Sequence, residues 1–229
     1  MGPEPGRSRQ PPSRRLRPSR LRAAGGAGRA GRRPHRRYVG VGRSLVDALG
    51  PRLRKISPEV HYEPRVNGSI GRINRDIRFS QDKSPYKAHL DLWFWHGDRR
   101  GWSLPGFFFR LTDKTLILGV GMHMLDKEQL AAFRDAIVDA KQGTALMAAI
   151  DKVKKAGPYA VGGAARKTVP RGFDKEHPRA ELLLYEGLHS AWEGPWPAEA
   201  ATAKCPDWCA AHFRAQWPVG KWLLGVLES

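Results

Sequence analysis

Residues Pro105-Gly106-Phe107-Phe108-Phe109-Arg110-Leu111 and Thr115-Leu116-Ile117-Leu118-Gly119-Val120-Gly121-Met122 flank the tripeptide Thr112-Asp113-Lys114. Both flanks are rich in aromatic and aliphatic residues that suit a pleated, half-buried surface, and both have strand length. A tripeptide is too short for a parallel crossover, so the two strands must form an antiparallel hairpin. Ala88 to Trp95 alternates just before them and reads as a third strand. Helices follow. Asp126 and Gln129 have capping-box spacing, and Leu130, Phe133 and Ile137 share one helical face. A second helix follows Gly143, with Leu146, Ile150 and Val153 in register until Gly157-Pro158 stops it. Consecutive strands followed by grouped helices define an α+β fold, an antiparallel sheet flanked by helices, and not a βαβ alternation.

Further out the pattern is less regular. Leu45, Val46, Leu49 and Leu53 predict a helix over Arg43–Ile56, with a kink expected at Gly50-Pro51 and an end at Pro58. Residues 60–66 read as extended, and Asn67-Gly68 as a turn. Ala164 to Val169 is a candidate strand, and His177 to Leu188 a short helix. A loop rich in Trp and Pro is expected through Trp192, Pro195, Trp196 and Pro197. Pro206 suits the first turn of a last helix, which Pro218 is expected to break before Trp222, Leu223, Leu224 and Leu227.

The densest chemistry lies in Arg72-Ile73-Asn74-Arg75-Asp76-Ile77-Arg78-Phe79-Ser80-Gln81-Asp82-Lys83-Ser84-Pro85-Tyr86-Lys87. Five cations and two carboxylates interleave with Ile73, Ile77, Phe79 and Tyr86, so the apolar residues draw charge toward the core, where it needs partners. Arg75 to Lys87 resembles the motif Arg-Asp-x-Arg-Phe-Ser-x-Asp-Lys-x-Pro-Tyr-Lys of the bacterial family called domain of unknown function 2461. Val169-Pro170-Arg171-Gly172-Phe173-Asp174 is similar to a later element of that family. The resemblance covers roughly residues 44 to 227 and implies an α+β fold in a cytoplasmic bacterial protein. It implies no activity. Members usually begin with a helix and a Trp-Phe-containing segment. An Arg-rich tail stands there instead, so residues 44–229 are expected to form the domain without that segment. Where members carry a Gly-rich run, this chain reads Gly119-Val120-Gly121-Met122-His123.

Two readings of the charged stretch stay open. In one, Arg75, Arg78, Lys83, Lys87 and Arg171 converge on a small phosphate- or carboxylate-bearing ligand, which guanidinium forks suit, and Asp76 and Asp82 orient them or supply a general base. In the other, Arg–Asp pairs latch a long loop onto the sheet. The sequence assigns no catalytic residue and calls for no cofactor or metal. Cys205, Cys209 and His212 share one helix face, but a metal site there lacks a fourth ligand, and core packing is the plainer account. Gly119-x-Gly121 lacks the third glycine of a dinucleotide fingerprint. His89, His96, His123, His177 and His189 are scattered, and Trp93, Trp95, Trp102, Trp192 and Trp196 read as core or edge residues more readily than as stacking platforms.

The charge is lopsided. Residues 1–43 hold thirteen Arg, no Lys and a lone acid, Glu4, and carry +12 of the formal +18. Such a segment has little to bury and is expected to be disordered, either as a basic arm for nucleic acid or as the product of GC-rich codons outside a natural coding segment. The remaining residues carry +6, from fourteen Arg and thirteen Lys. An interaction module using the basic tail and surface is therefore the second functional reading. Ser13-Arg14-Arg15-Leu16 lacks the apolar run an export signal needs, and no stretch approaches the roughly 18 apolar residues of a spanning helix. Two cysteines make no disulfide framework, consistent with a reducing compartment.

Overall fold

The computed structural model describes the backbone of residues 32–75, 78, 81, 84–97, 103–163 and 165–229, with side chains from residue 36 onward. The expected tail before residue 32 lies outside the described residues, as do Asp76, Asp82, Lys83 and Trp102.

Helix α1 spans Arg32–Arg54. It begins inside the segment expected to be a tail, and packing explains why. Tyr38 Oη donates to the Gly71 carbonyl at 3.0 Å, and Gly42 lies directly against Ile70. Gly50-Pro51 does not divide the helix, which carries Pro51 in its last turn. Strands β1 (Leu90–Phe94), β2 (Gly106–Leu111) and β3 (Thr115–Met122) follow as an antiparallel meander. The expected hairpin is present. Thr112 Oγ1 closes its turn by accepting from the amides of Lys114 and Thr115.

Helix α2 (Lys127–Val138) opens with the expected reciprocal capping box between Asp126 and Gln129. Helix α3 (Ala140–Ala156) starts before Gly143, capped by the Asp139 side chain. Next come β4 (Ala160–Gly162), a 3₁₀ turn at Leu182–Leu184, β5 (Leu188–Pro195), a second 3₁₀ turn at Ala198–Ala201 and helix α4 (Cys205–Leu227). The sheet order is β1-β2-β3-β5-β4, antiparallel throughout.

Four expectations fail here. Residues 188–195 form a strand and not a loop, because β5 is paired on both sides and its Leu188, Ser190 and Trp192 turn toward the helices. The strand expected over 164–169 is reduced to a single bridge from Ala165 to Tyr185, and the regular strand lies earlier. The helix expected over 177–188 amounts to the short 3₁₀ turn. Helix α4 also runs on through Pro218. A proline inside a helix costs about 3 kcal/mol, and burial on both sides of it offsets that: Phe213 and Trp217 before, Val219, Trp222 and Leu223 after.

The described helices pack on one face of the sheet. The core there has two parts. One joins α1 to Leu92, Phe94, Phe107, Phe109, Leu118 and the first half of α4. The other joins α2 and α3 to Met122, Leu188 and the second half of α4. Helix α4 thus spans both, and the opposite sheet face carries no helix among the described residues. No helix there is long and apolar enough to cross a membrane.

Candidate functional site: the open face of the sheet

Register fixes which side chains meet on the open face. Three rows cross the strands. The first runs Asp91, Arg110, Ile117, Glu193; the second Trp93, Phe108, Gly119, Ala191, Ala160; the third Gly106, Gly121, His189, Gly162. The middle row steps from two large aromatics on β1 and β2 to glycine and alanine on β3, β5 and β4. Trp93 and Phe108 therefore stand as a wall, with ring centroids 5.9 Å apart, over a floor that has no bulk. The result is a cleft of about 600 Å³ bounded also by Arg110, Ile117, Met124, His123 and His189. That is within the range of small-ligand pockets.

The charged end is organised by Asp91, which is only 2% exposed. Arg110 donates to both of its oxygens, at 2.6 and 3.0 Å. His89 Nε2 lies 3.2 Å away and Lys87 Nζ 3.9 Å away. Burial lowers the His89 pKa, against the pull of Asp91. Near neutral pH the cluster thus holds two fixed cations and one carboxylate, which leaves one positive charge over. The Arg110 guanidinium also sits 5.2 Å above the Phe108 ring, joining the charge to the aromatic wall.

The charged stretch comes to this corner. Gly71 donates its amide to the Asp91 carbonyl, and its Cα lies so close under the Trp93 ring that a Cβ would come within 2.8 Å. The chain then turns back on itself. Lys87 N donates to Ile73 O, Arg75 N donates to Pro85 O, and Asn74 bridges Tyr86. Residues 72–75 and 84–87 thus pair as the base of an arm rooted at the edge of β1. Of the residues expected to form an anion site, Lys87 reaches Asp91. Arg75 and Arg78 are exposed on the arm. Arg171 is exposed on the turn before Gly172 and makes no ion pair or hydrogen bond among the described residues. Asp76, Asp82 and Lys83 lie outside the described residues.

At the other end His123 and His189 approach, with ring centroids 5.7 Å apart. Burial, and secondarily His123, lower the His189 pKa, so its imidazole is neutral near pH 7. Its Nδ1 is buried without a hydrogen-bond partner among the described residues. Among those residues no three histidine, cysteine or acidic side chains gather as a metal site requires. Cys205 and Cys209 are buried with their sulfurs 4.0 Å apart, and His212 turns to Tyr159, whose Oη lies 2.9 Å from its Nδ1.

Two pairings have only a faint sequence signal. Asp91 and Arg110 lie nineteen residues apart and meet only through the β1–β2 register. Ser57 and His96 form a buried pair: His96 Nδ1 donates to the Pro105 carbonyl at 2.6 Å, so its Nε2 accepts from Ser57 Oγ at 2.7 Å. This is the hydrogen-bond pattern of a nucleophile and its base. At 6% and 1% exposure, though, no substrate carbonyl can reach it, and it ties the end of α1 to the strand region.

The fold is an α+β unit built on an antiparallel sheet, one face of which carries no helix among the described residues and holds the cleft. The family model described as conserved hypothetical protein (DUF2461) matches residues 36–222, and the chain belongs to that family. Its match begins within α1, where the described side chains begin. No curated protein and no solved structure matches the chain.

Proposed function

We propose that this chain is a small-molecule-binding domain whose ligand lies on the open sheet face. A flat or apolar body packs against Trp93 and Phe108, and an anionic group turns to Arg110 and Lys87. The observation that carries this reading is the middle row of the sheet, where Trp93 and Phe108 give way to Gly119 and Ala191. A bare sheet floor beside an aromatic wall exposes apolar surface that a soluble protein gains by covering. The surplus positive charge at Asp91 selects an anion over a neutral or cationic ligand. The His123 and His189 rings close the far end of the cleft and set how far the ligand reaches. The groups facing the cleft recognise and orient; among the described residues none forms a nucleophile–base pair there.

A direct test uses 8-anilinonaphthalene-1-sulfonate, an aromatic anion of the chemistry the cleft calls for, followed by a thermal-shift panel of phosphates, nucleotides and carboxylates. Gly119→Val should abolish binding while leaving the circular dichroism unchanged. A Cβ there meets only ordinary contacts, at 3.4 Å or more, and a branched side chain suits a strand. Lys87→Ala should weaken anionic ligands and spare neutral ones. Undiminished binding in folded Gly119→Val would refute the assignment.

A further inference from the structure

On the helix side of the sheet, away from the cleft, α3 and α4 enclose a groove of about 770 Å³. On α3 it is lined by Gln142, Ala145, Ala149, Lys152 and Ala156, whose alternating three- and four-residue steps keep one helical face. On α4 the matching run is Arg214, Pro218, Lys221 and Gly225. The core face of α3 is a different one, made by Leu146, Ile150 and Val153. Trp217 and Trp222, each 9% exposed, also border the groove, and Trp222 Nε1 ties the two helices by donating to the Gln142 carbonyl at 3.0 Å.

The outward face of a surface helix ordinarily carries long polar side chains. Here Ala145, Ala149 and Ala156 stand low, and the space beside Gly225 is open. Helix propensity accounts for alanines, but Pro218 and Gly225 both cost α4 stability. Pro218 also has no N–H, so the Arg214 carbonyl one turn earlier lacks its helical donor. Two facing stripes of low residues give a third helix room to lay its own side chains between them.

Charge narrows the choice of that helix. Lys152, Arg214 and Lys221 are exposed at the groove and make no ion pair among the described residues, and no acidic side chain lines the groove with them. Residues 1–31 are arginine-rich, with Glu4 their only acid, so their charge repels them from it. A second copy of the chain seated groove to groove brings the same three cations against these. An acidic partner meets neither obstacle.

We propose that the groove between α3 and α4 is a docking site for an amphipathic helix of a partner protein, its apolar stripe laid against Ala145 and Ala149 and its flanks carrying carboxylates to Lys152, Arg214 and Lys221. At 1.5 Å per residue the stripe from Gln142 to Ala156 is about 21 Å long, so a helix of about 14 residues covers it.

The probe is a fluorescein-labelled helical peptide of about 14 residues, with leucines at alternating three- and four-residue steps and glutamates on both flanks. A twin carries lysine in place of each glutamate. Fluorescence anisotropy is followed as full-length protein is added: the wild type, Ala145→Trp, and the triple variant Lys152→Glu, Arg214→Glu, Lys221→Glu. All four positions are exposed, so each variant should keep the wild-type circular dichroism. The wild type should bind the glutamate peptide saturably and the lysine peptide roughly tenfold more weakly or worse. The triple variant should reverse that order. Ala145→Trp, which fills the groove, should raise the midpoint for the glutamate peptide roughly tenfold or more. Absence of saturable binding by the glutamate peptide would overturn the site. Equal binding by the wild type and the triple variant would assign the attraction to the arginines of residues 1–43 and count equally against it. Unchanged binding in Ala145→Trp would place the contact outside the groove. A wild-type dimer in sedimentation that Ala145→Trp dissociates would give the groove to a second copy, and the acidic partner would be excluded.

Discussion

Replacing Asp91 with asparagine removes one charge from the centre of the cation cluster and little volume. Asp91 accepts two hydrogen bonds from Arg110, at 2.6 and 3.0 Å, and is itself 2% exposed. Hydrogen bonds to charged groups contribute about 1.5–3 kcal/mol each, and stranding a fully buried charge costs about 3–5 kcal/mol. Arg110 keeps 36% of its side chain in solvent and can turn part of its guanidinium to water, which reduces the cost. Asparagine also retains one acceptor oxygen. The expected loss is therefore about 2–4 kcal/mol. For a domain of this size each kcal/mol moves Tm by about 2–4 °C, so Asp91→Asn should melt roughly 5–15 °C lower. Arg110→Gln should lose at least as much, because it strands the carboxylate that is 2% exposed, and the double variant should lose less than the sum, the coupling that a double-mutant cycle reads out. Lys87→Ala should stay within about 0.5 kcal/mol of wild type, because a lysine at 3.9 Å from a carboxylate already held by arginine adds little. The assay is chemical denaturation with calorimetry on the wild type and the four variants. An Asp91→Asn protein within about 0.5 kcal/mol of wild type would refute the reasoning, since the pair would then contribute no more than an exposed ion pair.

Gly121→Ala should destabilise by about 1–3 kcal/mol or more, because Gly121 has φ of +124° and a Cβ there would come within 2.3 Å of the Leu188 carbonyl; an unchanged denaturation midpoint would contradict it. Burial lowers the pKa of His89, His96, His189 and His212 from the ordinary value of 6.5, so the unfolded chain binds more protons and stability should fall as pH drops from 7 toward 5. Melting temperatures flat or rising over that interval would show the sign to be wrong. Removing residues 1–31 should leave the melting temperature of the remainder unchanged, whereas removing 1–43 should lower it by taking away the Tyr38 bond to Gly71 and the Gly42 contact with Ile70. If the two truncations melt alike, the first turns of α1 contribute nothing. Salt-dependent nucleic-acid binding, should the full chain show it, is expected to disappear with residues 1–43, which carry +12 of the formal +18.

What the sequence reveals depends on how local the cause is. Thr112-Asp113-Lys114 permits only a hairpin, and the Asp126–Gln129 box fixes the start of α2, so both read correctly from neighbours alone. Pro51 and Pro218 carry a local penalty that distant burial overrides, which no local rule can anticipate. Gly194 and Pro195 disguise β5, whose strand character comes from partners on both sides, β3 and β4. Arg43 looks like a boundary because composition changes there. The helix nevertheless begins eleven residues earlier, held by single contacts from Tyr38 and Gly42 that leave no compositional trace.

The candidate site follows the same rule. The charged stretch is legible as a motif, yet the motif does not say where Lys87 arrives, because Asp91 belongs to a strand whose orientation only the sheet decides. Gly119-x-Gly121 is legible as a pair of glycines that lacks a third. Its physical meaning lies in a missing side chain opposite Phe108 on one strand and Ala191 on another. Periodicity registers the side chains that fill a core. A cleft consists of side chains withheld, and three such positions on three strands make a floor only once the register aligns them beside Trp93 and Phe108.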